Sequence, residues 1–258
     1  RRAGRSLRPH AKTHKSIEIA RKQIAAGAIG ICCATLPELQ ALAEAQIQVL
    51  LLTAPIQDSA KTEALIGVAK QIPITIAVDH ISQIRTLADK LPADSGSIRV
   101  VVDIDVGQRR TGVCDVSETL AIAKRIAEDK RLQFSGIQGY AGHVQHIPDY
   151  AARSQEAARV SKLLGEHIAA LRQAGFNPDI VSGGGTGTHD IDLKHQPFTE
   201  IQVGSYVFMD ADYARILTRS GQGLPFECSL FMLATVTSAN RAGQVTIDAG
   251  TKSLAVNG

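Results

Sequence analysis

The sequence predicts a (β/α)8 barrel of the TIM type, followed by the start of a β-rich unit. Eight short apolar runs alternate with amphipathic segments between residues 7 and 203, which is the order of parallel strands joined by helices. Most of these runs are apolar throughout, as in parallel strands that are buried on both faces. Polar or glycine-rich motifs follow five of the runs, where a barrel of this kind carries its functional residues.

The positions of the strands and helices are predicted from hydrophobic periodicity and from residues that start helices. Thr35, Pro37 and Glu38 give the second helix a cap, a first-turn proline and a capping box. A long amphipathic helix follows the sixth strand, with apolar positions from Ala157 to Leu171. The predicted strands are 7–12, 27–34, 47–52, 74–78, 98–104, 134–140, 179–182 and 200–203, and the other predicted helices include 17–26, 59–71, 81–91 and 117–127.

The main alternative is a doubly wound open sheet. Such a sheet normally carries a nucleotide-type glycine motif after its first strand, and this sequence has none there. Segments 230–238 and 244–248 are β-rich with turn residues around them. Because two strands are too few for a domain, we expect residues 1–220 to form the barrel and residues 221–258 to begin a C-terminal β domain that is truncated here.

The composition is that of a globular protein with a substantial core. Of 258 residues, 44% are hydrophobic and 21% charged, the net charge is +3, and aromatic residues are only 4% without any Trp. A nucleic-acid binder should show a basic stripe with aromatic residues, so we expect no nucleic-acid partner. The four cysteines lack CxxC spacing, and no apolar run is long enough for a membrane span. We therefore expect a cytoplasmic protein with no membrane partner.

Lys12 is the predicted reactive group. Four Arg and two Lys occur in the first fifteen residues, and on composition alone this stretch is equally a solvated arm, a nucleic-acid contact or the end of a transit peptide. At the end of the first strand, however, Lys12 faces the opening of the barrel. Lys15 is the competing lysine. Strand alternation places Lys12 on the face of His10, whereas Lys15 lies further into the loop.

The glycine-rich loop 182–188 is the predicted phosphate site. Its glycines allow backbone N–H groups to approach an anion, and the Thr186 and Thr188 hydroxyls add donors. Loops after strands seven and eight are the usual phosphate site of this fold, although a glycine run is also typical of a mobile connection. A phosphate site opposite a lysine suggests pyridoxal 5′-phosphate (PLP), whose aldehyde forms a Schiff base with an amine.

Further motif residues complete the predicted site. Arg110 could reach the pyridine nitrogen of PLP and keep it unprotonated, with a surface salt bridge as the alternative. His143, Gln145 and His146 follow the sixth strand and could touch substrate, although such a histidine is more often a structural hydrogen-bonding group. The predicted catalytic residues are Lys12, His143 and Gln145, and the predicted cofactor-binding residues are Lys12, Arg110, Tyr140, Gly184, Gly185, Thr186, Gly204, Ser205 and Tyr206.

A resemblance to a known family is visible in five segments of the sequence, which are 8–15, 30–35, 102–113, 182–188 and 200–213. The sequence resembles the D-threonine aldolase and D-serine dehydratase family, which shares the PLP-binding barrel of alanine racemases. The resemblance implies that Lys12 is the Schiff-base lysine and that Arg110 is the arginine of a D-x-G-x-x-R-x-G motif. It also implies that the phosphate is held by Gly185, Thr186, Gly204 and Tyr206.

The resemblance implies an activity as well. A PLP- and metal-dependent lyase would act on D-β-hydroxy-amino acids, as an aldolase that yields glycine and an aldehyde or as a D-serine or D-threo-3-hydroxyaspartate dehydratase. The aldolase is the leading expectation, since segment 200–213 is more similar to that branch. The family's divalent metal (manganese, zinc or magnesium) is bound in its C-terminal β domain, so we assign no metal ligand in this chain and expect a homodimer.

Two further functions remain open at this point. One is a PLP-binding protein without turnover, a cofactor carrier or homeostasis protein. The other is a PLP-free barrel aldolase that forms its Schiff base directly with a sugar phosphate.

Overall fold

The computed structural model describes residues 4–195 and 197–253. Its strands are β1 (Ser6–Leu7), β2 (Ile31–Cys33), β3 (Leu50–Leu52), β4 (Ile74–Val78), β5 (Ile98–Asp103), β6 (Leu132–Gly139), β7 (Ile180–Gly183), β8 (Glu200–Ile201), β9 (Val236–Arg241) and β10 (Gln244–Ile247). Its α-helices are α1 (Ile17–Ala25), α2 (Leu36–Glu44), α3 (Ser59–Ala69), α4 (Ile81–Lys90), α5 (Val116–Ala127), α6 (Gly142–Gln145), α7 (Tyr150–Gln173) and α8 (His189–His195).

Strands β1 to β8 form one parallel sheet in the order β1-β8-β7-β6-β5-β4-β3-β2. The two ends of this order meet beyond β1, where His10 forms a parallel bridge with Cys32. The N–H of Cys32 donates to the carbonyl oxygen of Pro9 at 2.8 Å, which joins β2 to the continuation of β1. The sheet therefore closes, and the predicted barrel is confirmed.

The core lies between the sheet and its covering helices. β2, β3 and β4 are buried at every position, as the continuous apolar runs of the sequence predict for parallel strands covered on both faces. Helices α2, α3, α4, α5 and α7 bury apolar side chains against the barrel, including Leu39, Leu65, Ile84, Ile126 and Leu164.

The element bounds differ from the prediction mainly near the site. β1 ends at Leu7, and a 3-10 helix, Ala11–Thr13, occupies the place where the sequence predicted continued strand. Strand alternation therefore does not set the direction of Lys12, although that residue does follow the first strand. Two short helices, α6 and α8, lie in segments for which the sequence predicted no helix. Glu38 accepts from the N–H of Ala34 rather than that of Thr35, so the predicted capping box is displaced by one residue.

The C-terminal part contains an antiparallel pair, β9 and β10. β9 begins at Val236 rather than at residue 230, and Leu230, Phe231 and Leu233 are exposed. The division at residue 220 stays a prediction. Residues 254–258 of the predicted second domain, and residues 1–3, lie outside the described residues.

Candidate active site

The turn that carries Lys12 is held by His10. The backbone N–H of Lys12 donates to Nδ1 of His10 at 3.3 Å, and Nε2 of His10 lies 3.2 Å from the Thr53 hydroxyl. That hydroxyl donates its single proton to the carbonyl oxygen of Cys33 at 3.0 Å, so it accepts from His10. The network thus assigns a neutral His10 with its proton on Nε2. Burial, followed by the positive charges of Lys12 and Arg110, holds the pKa of His10 well below its usual range.

The Lys12 side chain stands in an opening at the carboxyl end of the barrel. The cavity has a volume of ≈ 310 Å³. Solvent reaches the Lys12 side chain, but protein surrounds it on most sides. This burial is the largest cause that lowers the pKa of Lys12, and the positive charge of Arg110 is the second largest. The amine therefore loses its proton more easily than a surface lysine. The cavity is lined by His10, Lys12, Ala34, Thr53, Ala54, Arg110, Thr111, Gln138, Tyr140 and Gln202.

Arg110 reaches the same opening from the loop that follows β5. A bridge between Ile104 and Val113 closes the neck of this loop. The Thr111 hydroxyl donates to Oδ2 of Asp103 at 2.7 Å, so the residue next to Arg110 is fixed to the end of β5. Burial raises the pKa of Asp103 to about 6, against the opposing hydrogen bonds from Gln138 and Thr111.

A chain of buried amides forms the floor of the cavity. Gln138 donates to Oδ1 of Asp103 at 2.9 Å and accepts from Gln202 at 3.1 Å. Gln202 also donates to the Ser182 hydroxyl at 2.8 Å, and Ser182 donates to Glu200 at 2.6 Å. Because each donor is already assigned, the carboxamide orientations are fixed before any ligand binds.

The same chain ends on a buried ion pair. Nε and Nη2 of Arg8 donate to the two carboxylate oxygens of Glu200, each at 2.8 Å, and the side chains are only 2% and 3% exposed. Arg8 also donates to the carbonyl oxygen of Val49 at 2.7 Å. A Cβ atom on Gly30 would lie 2.1 Å from that carbonyl oxygen, so glycine is required beside the pair. The pair joins β1 to β8 beneath the site.

The glycine-rich loop is held from within the protein. The N–H of Gly185 donates to Oδ2 of Asp192 at 3.2 Å, and the N–H of Gly187 donates to Oε1 of Gln145 at 3.0 Å. A Cβ atom on Gly184, where φ is +68°, would lie 2.5 Å from Oδ2 of Asp192. The missing Cβ atoms of Gly184 and Gly185 make room for Asp192 and Gln145, and the predicted role of these two glycines in binding the cofactor stays a prediction.

Backbone N–H groups that could donate to an anion are present next to the glycine-rich loop and after β8. Within residues 4–195 and 197–253, the backbone N–H groups of Thr186, Gly204 and Ser205 have no protein acceptor. The N–H of Tyr206 donates to the Thr186 hydroxyl at 3.1 Å, which joins the two loops. A Cβ atom on Gly204 would lie 2.7 Å from Oγ1 of Thr13, so this cradle abuts the Lys12 turn. We call Thr186, Gly204, Ser205 and Tyr206 the anion cradle.

The other predicted residues lie elsewhere. His143 has its ring 3.3 Å from Glu156 on α7 and is not among the residues that line the Lys12 cavity. The Gln145 carboxamide is buried and hydrogen-bonded to the loop, and its predicted catalytic role stays a prediction. Lys15 lines a separate opening between α1 and α2. The structure thus groups Lys12, Arg110 and Tyr140 in one cavity, while the catalytic role of His143 stays a prediction without a contact here.

Several residues that line the cavity were not predicted from the sequence. Thr53, Gln138 and Gln202 line the cavity, and each is a polar residue inside or directly after an apolar strand. That exception to the apolar pattern was the available signal. Asp192 gave no comparable signal, since it lies in a short polar segment.

Two negative findings apply to the part of the chain that the structure describes. No group of three or more His, Cys, Asp or Glu side chains comes together as a metal site. No helix in residues 4–195 and 197–253 has both the length and the apolar character that crossing a membrane requires.

The fold and the site define a class, namely (β/α)8 barrels that carry a lysine of lowered pKa in a cavity at the carboxyl ends of the strands. The chain belongs to the family described as alanine racemase, N-terminal domain, which it matches over residues 1–212. This agrees with the barrel family that the sequence resemblance indicated.

Three individual relatives are similar to this chain over nearly its whole length. The chain is 37% identical to D-threonine aldolase of an Arthrobacter species over 96% of its own length and 65% of the relative. It is 33% identical to 3-hydroxy-D-aspartate aldolase of Paracoccus denitrificans over 98% of its length and 67% of the relative. The crystal structure of D-threonine aldolase from Filomicrobium marinum superposes with a TM-score of 0.93 at 37% identity, covering 99% of this chain and 68% of that one. The chain spans about two thirds of the length of these relatives.

Proposed function

We propose that the protein is a PLP-dependent lyase that cleaves D-β-hydroxy-amino acids, with D-threonine aldolase activity as its reaction. The observation that carries the proposal is the position of Lys12, whose amine has a lowered pKa, lies over the Tyr140 ring and shares its cavity with Arg110. Similarity to two aldolases of D-hydroxy-amino acids supports the choice of reaction.

The residues fit the proposed cofactor. The unpaired N–H groups of Thr186, Gly204 and Ser205 are suited to a phosphate group, and the cavity beside them accommodates a ring next to Lys12. When bound, PLP supplies an aldehyde for an amine and an electron-withdrawing ring for an amino-acid substrate. Arg110 is a permanent cation at this opening and would hold a ring nitrogen or a carboxylate by charge.

Lys12 is suited to two tasks in this reaction. An amine with a lowered pKa is a better nucleophile toward an aldehyde at neutral pH, and once free it accepts a proton. His10 orients the backbone at Lys12 and, being neutral, adds no further charge. Tyr140 covers one side of the amine with its ring and limits access of water from that side.

Among the described residues, no group of side chains forms a ligand set for the expected divalent metal. Metal dependence and the homodimer stay predictions of the resemblance. The metal is therefore tested as a separate variable, by adding and removing manganese or zinc in the assay.

The test is to incubate D-threonine and D-serine separately with the protein, PLP and manganese or zinc, with L-threonine as the control substrate. We expect glycine and acetaldehyde from D-threonine and no product from L-threonine. Pyruvate and ammonia from D-serine would instead identify a dehydratase. PLP binding without any product would favour a carrier, and a protein without visible PLP absorbance would refute the proposal.

A further inference from the structure

Asp192 of α8 lies directly beneath the glycine-rich loop. Its side chain is 3% exposed. Oδ2 accepts from the Gly185 N–H at 3.2 Å and from the Thr188 hydroxyl in a close contact. A Cβ atom on Gly184 would lie 2.5 Å from the same oxygen, so only glycine fits there. The carboxyl group therefore holds Gly185 and Thr188 in place by hydrogen bonds.

The surroundings of Asp192 contain little that would stabilise its charge. α6 contributes Val144 and Gln145, α7 contributes Ala157 and Val160, and Phe198 packs from the chain before β8. Among the described residues, the titratable group that acts on it is Asp190 of its own helix, a like charge, and no Lys, Arg or His forms an ion pair with it. Burial raises the pKa of Asp192 to about 7, against the hydrogen bonds from Thr188 and Gly185.

Asp192 and the anion cradle share one stretch of backbone. The N–H of Gly185 points to the carboxyl group, whereas the N–H of the next residue, Thr186, is free for a ligand. A phosphate group on Thr186 and a carboxylate under Gly185 would place two anions on either side of adjacent peptide units. Their repulsion in a buried setting is relieved when the carboxylate takes up a proton.

We propose that Asp192 is a positioning residue of the phosphate site, and that binding of the cofactor's phosphate group in the anion cradle is coupled to protonation of the Asp192 carboxyl. This inference rests on the proposed function, because it requires a phosphate-bearing ligand. Its consequence is that binding takes up a proton near neutral pH, so the affinity for PLP falls as the pH rises through and above that range. A purely structural hydrogen bond would not produce this dependence.

The test measures PLP affinity between pH 6 and 9, by the change in visible absorbance, for the wild type and for Asp192→Asn. The comparison cancels the ionisation of the ligand and of Lys12, which both proteins share. We expect wild-type affinity to fall by up to about tenfold more than that of the variant, the effect of a shift of about one pKa unit. Pyridoxal, which lacks the phosphate group, should give the same pH profile for both proteins.

Two further variants complete the test. Asp179→Asn, at the opposite end of β7, is the matched control and should keep the wild-type profile, since Asp179 is exposed and remote from the loop. Thr188→Val removes a hydrogen bond that stabilises the carboxylate and should move the pH dependence to higher pH; this variant also serves if Asp192→Asn does not fold. Equal PLP profiles for the wild type and Asp192→Asn, or an unmoved profile for Thr188→Val, would overturn the inference while PLP still binds. A wild-type protein that binds no PLP would overturn the proposed function together with it.

Discussion

The amine of Lys12 lies over the ring of Tyr140, with Nζ 4.9 Å from the ring centroid. Arg110 approaches the same ring, with its Cζ atom 5.8 Å from the centroid. Two cations thus share one aromatic ring at the mouth of the barrel. Burial lowers the pKa of Lys12 first, and the repulsion from Arg110 lowers it further, because a guanidinium does not lose its proton at accessible pH.

Removing the Lys12 amine should abolish covalent binding of PLP. For Lys12→Ala we expect loss of the visible absorbance that the protein gains with PLP, because no other lysine lines this cavity among the described residues. Lys15→Ala is the matched control, since Lys15 lines a different opening, and it should retain the absorbance. If Lys15→Ala lost the absorbance and Lys12→Ala kept it, Lys15 would be the lysine that binds PLP.

Arg110 should set the pH at which Lys12 becomes reactive. Arg110→Gln removes a positive charge that disfavours the protonated amine, so the pKa of Lys12 should rise and its acylation should require a higher pH. Competitive acylation across pH, followed by mass spectrometry of the Lys12 peptide, measures this midpoint. Arg109→Gln, which removes a neighbouring exposed cation, should leave the midpoint in place. A midpoint that is unchanged in Arg110→Gln would mean that burial alone lowers the pKa.

His10 should remain neutral, with its proton on Nε2, through the pH range in which an ordinary histidine gains its second ring proton. Burial is the main cause that lowers its pKa, and the Thr53 hydroxyl accepts from Nε2. Nitrogen-15 NMR of the histidine ring reports the tautomer directly. Thr53→Val should leave the Nε2–H without an acceptor and cost about 1 to 3 kcal/mol of unfolding free energy, whereas Thr53→Ser should keep the wild-type spectrum. A His10 that protonates near its ordinary pKa would contradict the assigned network.

The Arg8–Glu200 pair should contribute strongly to the stability of the barrel. Glu200→Gln leaves the buried Arg8 guanidinium without its counter-charge, so we expect the unfolding free energy to fall by about 3 to 5 kcal/mol in urea denaturation. Combining it with Arg8→Met, which removes the charge, should recover part of this loss. Glu18→Gln breaks the exposed pair with Lys22 on α1 and should cause no measurable change in Tm. Equal effects of the buried and exposed changes would contradict the argument.

Local sequence was sufficient to predict the barrel and to select the residues of a candidate site. The alternation of apolar strands with amphipathic helices is a local pattern, because it depends on residues only a few positions apart. Strand β4 has the predicted bounds, and the bounds of α3 and α4 differ from the predicted ones by at most two residues. The motif at Lys12 and the glycine-rich loop were also visible, because each is a short run whose residue types are unusual at the end of a strand.

Only the tertiary structure decided how the site is held together. Arg8 and Glu200 are 192 residues apart, and Gln138 and Gln202 are 64 apart, yet both pairs are in hydrogen-bond contact because the barrel closes on itself. The role of the glycines at 184 and 185 likewise depends on Asp192 and Gln145, which come from two separate short helices. Periodicity reports which face of an element is buried, whereas partners across a closed barrel are set by its register and closure, which no local pattern contains.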